Sequence, residues 1–506
     1  MCKNSYDTII IGSGISGMAA GIMLAKEGEK VIVLEQHSVA GGMTQTYSRQ
    51  GITFPTGVHR LGSLEPGQPL WYYFNYLDLM DRLDFVKLSN ECFEKFYFPS
   101  KSYEVPTGHA RYRQKLIEYF PNQKRSINTY FSDFKNVISN IGMYDPSVAP
   151  EKDLSLKYCG SLADYLIAIG VSGWLNALLT ANNPLYGIPS NECPLLTHFL
   201  VSDSYLNSSF RINELTTPFS RALSDSFKSK GGEICVGSHV KQLMVQDKTA
   251  VGIILSNSEK LLARKVIFSG HPSLILDLCP KELFRPVFQK RLNKKNTPGI
   301  FGVALKWDKN SCPLKKNDVY IYDSWNVNYQ YERTNILGDD PLGMVYLSAL
   351  PNSGIAGKGN KEIAVTALIG INDKETDMLK KYYKQPGKSH YKTAKNKIIQ
   401  KILNHIKPVH PEIVKDALVV DSYSPMTFQR YTLTKGGSAY GIRKTARHFL
   451  EGMFSPATKI KNFYLTGQSI GFNGIHGSIV SSVKLCQMII GEKYLTDKIM
   501  NTKLKQ

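Results

Sequence analysis

The feature that most constrains this sequence is a glycine-spaced turn near its start, Gly12-x-Gly14-x-x-Gly17. An apolar run over 6–12 predicts a buried strand before the turn, and the residues after the turn have apolar positions at helical spacing. A second apolar run over 30–35 completes a β-α-β unit. Glycines at this spacing allow a tight turn, close approach of backbone to a pyrophosphate, and close helix–strand packing. The sequence therefore predicts a dinucleotide-binding unit.

A carboxylate and a second glycine turn after this unit indicate which dinucleotide is bound. Glu35 ends the second predicted strand about 20 residues after the glycine turn, where a carboxylate can accept hydrogen bonds from ribose hydroxyls. Gly41 and Gly42 supply a further turn of bare backbone, which gives room for a cofactor longer than NAD. We therefore predict FAD. Further contacts are expected from residues inside these turns: Ile15, Ser16, Gln36, Met43 and Thr44.

A second segment suited to a flavin lies late in the sequence. We predict a strand over 462–466, a glycine-rich loop over 467–477 and a helix over 478–490. Backbone N–H groups at the start of such a helix can stabilise negative charge on a reduced flavin. Glycine lets the backbone approach the isoalloxazine ring. Four flavin contacts are expected here: Gly467, Gln468, Gly474 and Ile475.

With 506 residues, the chain is long enough for two domains with a sizeable core. The middle stretch 213–279 has helix and strand patterns that suit the nucleotide domain, whereas the segments around it are richer in aromatic, Pro and Lys residues. The predicted division is an FAD-binding domain over 1–74, 213–279 and 441–506, interleaved with a substrate domain over 75–212 and 280–440.

Charge and hydropathy limit the partners. The net charge of +20 favours anionic partners such as a phospholipid surface, a nucleic acid or a phosphorylated substrate. No nucleic-acid motif accompanies the basic residues, so no nucleic acid is expected. The apolar run 165–180 is too short to span a bilayer and predicts one helix, either buried in the core or shallowly inserted in a membrane.

Cysteine usage and the first residues bear on location and metals. The eight cysteines form no C-x-x-C pair and have no His at metal spacing, which argues against zinc and iron–sulfur sites, so no metal is expected. They are typical of isolated thiols in a reducing compartment. The sequence leads almost directly into its first strand, which disfavours a secretion signal. We expect a cytoplasmic protein, peripherally associated with an anionic membrane surface.

Taken together, these motifs resemble the flavin amine-oxidase superfamily, and within it the branch of phytoene desaturases, carotenoid isomerases and retinol saturases. The resemblance rests on the N-terminal unit with Glu35, a stretch over 41–59, a block around Val240, residues 424–441, and Leu465 to Gln468. It implies an α/β fold, in which a Rossmann-like FAD-binding domain of the GR2 type is interleaved with an α+β substrate domain. It also implies that Val240 contacts the cofactor.

Two positions depart from the pattern of this branch. Pro55 stands where an acidic residue often precedes Thr-Gly, and Ser469 stands where an acidic residue often follows Gly-Gln. The second change affects a ribityl or phosphate-linked contact. Neither change removes the glycine framework.

The resemblance implies redox chemistry, or redox-neutral isomerisation, at C–C and C=C bonds of long isoprenoid or polyene lipids, with an external electron donor or acceptor. Such substrates have few polar groups, so we expect a long apolar tunnel with aromatic walls and few polar catalysts. The candidates near the flavin are His59, Arg430, Tyr431, Tyr440 and His476. For each of them a structural role, as a hydrogen-bonded, ion-paired or packing residue, is the alternative.

Two other functions remain open on the sequence. One is a flavin amine oxidase, because the scaffold is shared. The other is a non-enzymatic lipid- or nucleic-acid-binding protein that keeps the scaffold, which the net charge of +20 and the two departures would suit.

Overall fold

The structure is a computed structural model, and it describes residues 5–142, 144–148, 159–308, 312–314, 316–350 and 362–502. Cys2, one of the predicted isolated thiols, lies outside these residues. The strands are β1 Ser5–Ile11, β2 Val31–Leu34, β3 Thr46–Arg49, β4 Ile52–Pro55, β5 Leu61–Gly62, β6 Phe85–Lys87, β7 Glu94–Phe98, β8 Lys101–Val105, β9 Ser209–Ile212, β10 Glu233–Cys235, β11 Val240–Gln246, β12 Thr249–Leu255, β13 Lys260–Phe268, β14 Gly299–Asp308, β15 Asp318–Tyr322, β16 Met344–Ala349, β17 Glu362–Ile371, β18 Leu418–Tyr423 and β19 Phe463–Leu465.

The described residues also form eighteen α-helices. They are α1 Ile15–Lys26, α2 Pro69–Tyr76, α3 His109–Tyr119, α4 Lys124–Ile138, α5 Leu162–Ala168, α6 Gly173–Thr180, α7 Leu195–Asn207, α8 Phe219–Ser229, α9 Ile275–Leu278, α10 Pro286–Leu292, α11 Tyr329–Glu332, α12 Asp373–Lys384, α13 Ser389–Ile406, α14 Pro411–Asp416, α15 Pro425–Thr432, α16 Phe449–Gly452, α17 Gly474–Ile490 and α18 Glu492–Met500.

The first large sheet gathers strands from three distant parts of the chain. Its order is β10-β2-β1-β13-β12-β11, with β19 pairing on β13, and the strands from β10 to β13 and β19 run parallel. Strand β1 lies in the middle, with Ile10 opposite Val33 on one side and Ile267 on the other. Both faces of a parallel sheet are covered, which is why β1 and β2 read as continuous apolar runs. Helices α8 and α17 contact α1.

The second large sheet is mainly antiparallel, in the order β18-β14-β17-β16-β15-β7-β8. Successive side chains in a strand point to opposite faces. Val345 and Leu347 of β16 pack in the core with Ile398 and Ile402 of α13, and Tyr346 faces the other way. The sheet is thus backed by helices on one face and leaves aromatic side chains on the other. The α/β fold class is confirmed, and the predicted boundaries between the two domains stay a prediction.

One predicted element is wrong. The run 165–180 is not a single helix, because α5 ends at Ala168 and α6 begins at Gly173. Gly170 and Gly173 have φ of 77° and 55°, in the left-handed region that ends a helix and favours glycine. The two helices also differ from a uniformly buried run, since Ile167 is 71% exposed and Leu175 is fully buried.

Neither a membrane span nor a metal-binding cluster is present in the residues that the structure describes. None of the helices in these ranges has the length and apolar character needed to cross a membrane. The same ranges contain no group of three or more His, Cys, Asp or Glu side chains placed to hold a metal ion.

A buried ion pair joins α11 to α12 on the helical side of the second sheet. The Arg333 guanidinium donates from Nε to Glu375 Oε1 at 2.6 Å and from Nη2 to Oε2 at 2.8 Å, and neither side chain is exposed. Arg333 also donates to the carbonyl oxygens of Leu342 and Gly370. Glu375 is the N3 residue of a capping box with Asn372 at the start of α12. The pair therefore fixes where α12 begins.

Replacing Glu375 with glutamine is expected to lower the free energy of unfolding by about 3 kcal/mol or more, because it leaves the Arg333 charge buried without its counter-ion. Urea denaturation followed by far-UV circular dichroism measures the change. Asp497→Asn, which breaks the exposed Lys493–Asp497 pair in α18, is the matched control and should stay within about 0.5 kcal/mol of the wild type. Equal urea midpoints for Glu375→Gln and the wild type would contradict the assignment.

Candidate functional site

The two predicted glycine turns near the start of the chain touch each other. Gly12 follows β1 with φ of 100°, and its N–H donates to Leu34 O at 2.8 Å. A Cβ on Gly17 would lie 2.2 Å from Gly12 O, and one on Gly42 would lie 3.1 Å from Gly14 Cα. Larger residues at Gly17 would therefore push the turn apart. At Gly14 nothing of the protein beyond its chain neighbours lies within 4 Å of the Cβ position, so this side of the turn is open.

Glu35 holds these turns together through a serine that the sequence analysis did not single out. Its Oε2 accepts hydrogen bonds from Ser13 N at 3.0 Å and Ser13 Oγ at 2.6 Å. Ser13 Oγ in turn accepts from Gly41 N at 2.8 Å. Oε1 accepts from His37 N at 2.9 Å and keeps a further lone pair, which fits the expected ribose hydroxyl.

Two further residues that are expected to contact the cofactor, Gln36 and Val240, lie beside Glu35. Ser238 N donates to Glu35 O at 2.7 Å, which brings the start of β11 to the end of β2. Val240, the first residue of β11, is buried there. Gln36 Oε1 lies 3.1 Å from His239 Nδ1. The structure thus gathers Glu35, Gln36 and Val240 at one edge of the parallel sheet.

The late glycine segment reaches the same place. Gly467 has φ of 122°, and its Cβ position lies 3.5 Å from Ser16 Oγ and 3.4 Å from Ser269 O. Ser482 Oγ of α17 donates to Ser16 O at 2.7 Å. The segments expected to bind the two halves of FAD are therefore in direct contact, although more than four hundred residues separate them in the sequence.

Helix α17 starts earlier than predicted. It begins at Gly474 rather than at Ser478, so the predicted glycine-rich loop is shorter by four residues. Glycine spacing suggested a loop, but Gly477 is required inside the helix, because a Cβ there would lie 2.4 Å from the backbone of Phe472. The free N–H groups of the first turn consequently belong to Gly474 and Ile475, both expected flavin contacts.

A cavity of about 210 Å³ lies between the glycine segments and the second large sheet. Met43, Gly474 and Ile475 line it on the side of the glycine segments. Much of the rest is aromatic or aliphatic, including Tyr144, Leu185, Tyr205, Tyr320, Tyr423 and Phe428. Among the described residues, no Asp, Glu or Lys lines the cavity, and Arg60 is its one side chain with a permanent charge.

Three of the five predicted catalytic residues meet at this cavity: His59, Tyr440 and His476. His476 Nε2 lies 3.0 Å from Tyr144 O, and its ring centroid is 3.8 Å from that of Tyr144. The Nδ1 atoms of His59 and His476 are buried with no hydrogen-bond partner among the described residues. Burial lowers the pKa of His59 to about 4 and that of His476 to about 3, and it raises the pKa of Tyr440.

The other two predicted catalytic residues lie elsewhere. Arg430 and Tyr431, in the last turn of α15, are exposed and do not line the cavity. The Arg430 guanidinium lies 5.6 Å from the Tyr431 ring centroid, and Tyr431 packs edge-to-face on His37. The family-like block 424–441 thus divides, because Tyr440 points to the cavity and the end of α15 points to solvent.

A buried cluster of charges that the sequence analysis missed lies under one wall of the cavity. Arg60 Nη2 donates to Glu94 Oε2 at 2.9 Å, and its Nη1 lies 3.4 Å from Asp318 Oδ2. Arg211 Nη2 donates to Asp318 Oδ1 at 2.5 Å, and the Tyr346 hydroxyl donates to Oδ2 at 2.9 Å. The two positive charges of the arginines are therefore balanced by the two negative charges of the carboxylates. Although burial alone would raise the pKa of Asp318, Arg211 and Arg60 together lower it.

Comparison with solved structures shows the same fold. The chain is similar to an oxidoreductase from Methanosarcina mazei, with a TM-score of 0.68 and 16% identity over 95% of this chain and 99% of the other. It is also similar to a putrescine oxidase bound to putrescine, with a TM-score of 0.65 and 14% identity over 98% and 99% of the two chains.

Comparison with known sequences extends over nearly the whole chain. An all-trans-retinol 13,14-reductase of Danio rerio is 25% identical over 96% of this chain and 86% of the relative. A chloroplastic prolycopene isomerase of Daucus carota is 23% identical over 92% and 77%. The model of the family described as flavin containing amine oxidoreductase matches residues 15–490. The chain therefore belongs to the flavin-containing amine oxidoreductase family, and the FAD predicted from its glycine turns is its cofactor.

Proposed function

We propose that this protein is an FAD-dependent oxidoreductase that saturates, desaturates or isomerises C=C bonds of a long isoprenoid or polyene lipid. The cavity carries the proposal, because its described lining is mainly aromatic and aliphatic and includes neither carboxylates nor lysines. Transferring a charged ligand into such a site would be costly, whereas an apolar chain gains from burial. The names of the two relatives, a retinol 13,14-reductase and a prolycopene isomerase, agree with this substrate class.

The residues that would hold FAD follow from the contacts between the glycine turns. Gly12, Gly14 and Gly17 would receive the pyrophosphate at the N-terminus of α1, with Ile15 and Ser16 in its first turn. The ribose would be held by the Glu35 carboxylate, flanked by Gln36 and Val240. The flavin half would contact Gly41 to Thr44, Gly467 and Gln468, and the start of α17 at Gly474 and Ile475. When bound, FAD supplies hydride exchange with a substrate carbon.

The polar side chains of the cavity would orient the substrate without adding charge. With pKa values of about 4 and 3, His59 and His476 are neutral at neutral pH, and the raised pKa of Tyr440 keeps its hydroxyl protonated. Each can donate or accept a hydrogen bond. The catalytic role of these three residues is part of the proposal. Arg430 and Tyr431 are not included, because their positions are remote from the cavity.

The polyene substrate is favoured over an amine by the same electrostatics. An alkyl amine is a cation at neutral pH, and the one permanent charge among the described cavity residues is the cation Arg60. No lining carboxylate in these ranges offers a counter-ion. An ammonium group entering the cavity would therefore lose its hydration without gaining a counter-ion.

We further propose that the substrate is delivered from an anionic membrane surface and that an external electron donor or acceptor completes the cycle. The net charge of +20 supports the first point. A local contribution comes from Ile167 and Trp174, which are 71% and 36% exposed, and from Lys101, whose Nζ lies 3.9 Å from the Trp174 ring centroid. Flotation with vesicles tests the membrane proposal. Binding to anionic but not to zwitterionic vesicles is expected, and the absence of binding to either kind would contradict it.

Replacing Gly14 with alanine is expected to weaken FAD binding at least about tenfold, or about 1.4 kcal/mol. The added methyl group meets no protein atom within 4 Å and suits the local φ of −59°, so its obstacle is the cofactor itself. Fluorescence titration of the apoprotein with FAD measures the change. Gly160→Ala, where the Cβ position is also open, is the control and should bind FAD as the wild type does. Unchanged affinity in Gly14→Ala would place the pyrophosphate elsewhere.

Replacing Leu185 with aspartate is expected to reduce polyene turnover at least about tenfold, because a carboxylate would have to be desolvated against an apolar chain. Leu185 lies in a short helical turn on the cavity wall and is not one of the expected FAD contacts, so the flavin absorbance per protein should not change. Substrate conversion is measured by chromatography of extracted lipids. Leu185→Met keeps the volume and is the control. Full activity in Leu185→Asp would exclude this cavity as the substrate site.

A further inference from the structure

Lys444 is a buried lysine that none of the roles assigned so far uses. It is 4% exposed, and its Nζ donates to Gln468 O at 2.8 Å and lies 3.4 Å from Asn473 Oδ1. Both partners are neutral. In the ranges that the structure describes, no carboxylate comes within ion-pairing distance of this ammonium group, in contrast to the fully balanced Arg60 cluster.

A buried ammonium group without a counter-ion is unfavourable in the protein alone. Burial lowers the pKa of Lys444 to about 7, because it disfavours the charged form of the side chain. A ligand that carries negative charge close by would remove part of this cost. The neutral carbonyl and amide oxygens offset a smaller part of this cost, because they supply dipoles and no net charge.

The position of Lys444 indicates where such an anion would lie. Gln468 and Asn473 both lie in the loop between β19 and α17, and Asn473, the last residue of this loop, lines the cavity. The ammonium group contacts both of these loop residues. The N-terminus of α17, with its partial positive charge, starts at the next residue, Gly474. Two sources of positive potential therefore converge on the loop that is proposed to contact the flavin ring.

We propose that Lys444 is a positioning residue that supplies the counter-charge for the anionic forms of the bound flavin, acting through the loop between Gln468 and Asn473. In the low dielectric of the interior its field reaches further than in water. The residue stabilises negative charge that develops on the ring when the flavin gains electrons. This inference rests on FAD at the proposed site, and it is independent of the polyene substrate.

The test uses the purified, FAD-loaded protein and two readouts that need no lipid. Sulfite adds to flavin N5 through its sulfur lone pair and leaves negative charge on the ring, so its dissociation constant reports on nearby positive charge. The midpoint potential of the two-electron couple reports on the same charge. Lys444→Met should weaken sulfite binding about tenfold and lower the potential by about 30 mV, the equivalent of that factor for two electrons.

Two variants control the experiment. Lys444→Arg keeps the charge and should bind sulfite within about twofold of the wild type, since its guanidinium stays protonated. Lys459→Met removes an exposed lysine and should change neither readout. The apoprotein of Lys444→Met should melt at or above the wild-type temperature, because a neutral side chain avoids the buried ammonium.

Three results would overturn the proposal. One is a Lys444→Met protein with wild-type sulfite affinity and potential. Another is an apoprotein of this variant that melts well below the wild type, which would show a structural role. The third is a well-folded Lys444→Met protein that no longer retains oxidised FAD, which would assign the charge to the cofactor phosphates. Failure of the wild type to convert polyenes would count against the proposed function alone and would leave these measurements interpretable.

Discussion

The contact between α1 and α17 is the constraint on which the proposed cofactor site depends. It is made by small residues. Ser482 Oγ donates to Ser16 O at 2.7 Å, and Cys486 Sγ lies 3.9 Å from the carbonyl oxygen of Ala20. Small side chains allow two helices to approach closely, so the turns that precede them are brought together. Gly467 reaches Ser16 for this reason. A bulky residue at the contact would separate the two halves of the site.

The parallel sheet was predictable, because its central strands are buried on both faces and therefore read as apolar runs. The expected strand over 6–12 is β1, Ser5–Ile11, and the run 30–35 contains β2, Val31–Leu34. Helix ends were less accurate where glycine has two uses. Gly170 ends a helix inside an apolar run, whereas Gly477 lies within one because Phe472 crowds it. Sequence spacing does not separate these cases, since the difference lies in a neighbour's position.

The candidate site was predictable in part, for a similar reason. His59, Tyr440 and His476 belong to glycine-containing stretches near the chain ends, and the fold brings these stretches to one cavity. Arg60 was not recognised, because its partner Asp318 lies far along the chain on another sheet, and no local pattern marks the pair. Lys444 was missed on different grounds. It stands among many basic residues, and only burial without a carboxylate distinguishes it from a solvated lysine.

The contrast between these two buried cations explains how one scaffold can handle an apolar substrate and a charged cofactor together. Arg60 is neutralised by Glu94 and Asp318, so the wall that faces the substrate presents a rigid surface with little net field. Lys444 has no such partner, so its field remains available on the side of the glycine loop. A charge without a counter-ion stabilises charge that appears during a reaction more strongly than a neutralised ion pair does. Shape would therefore select the substrate on one side, while electrostatics would set the redox properties of the flavin on the other.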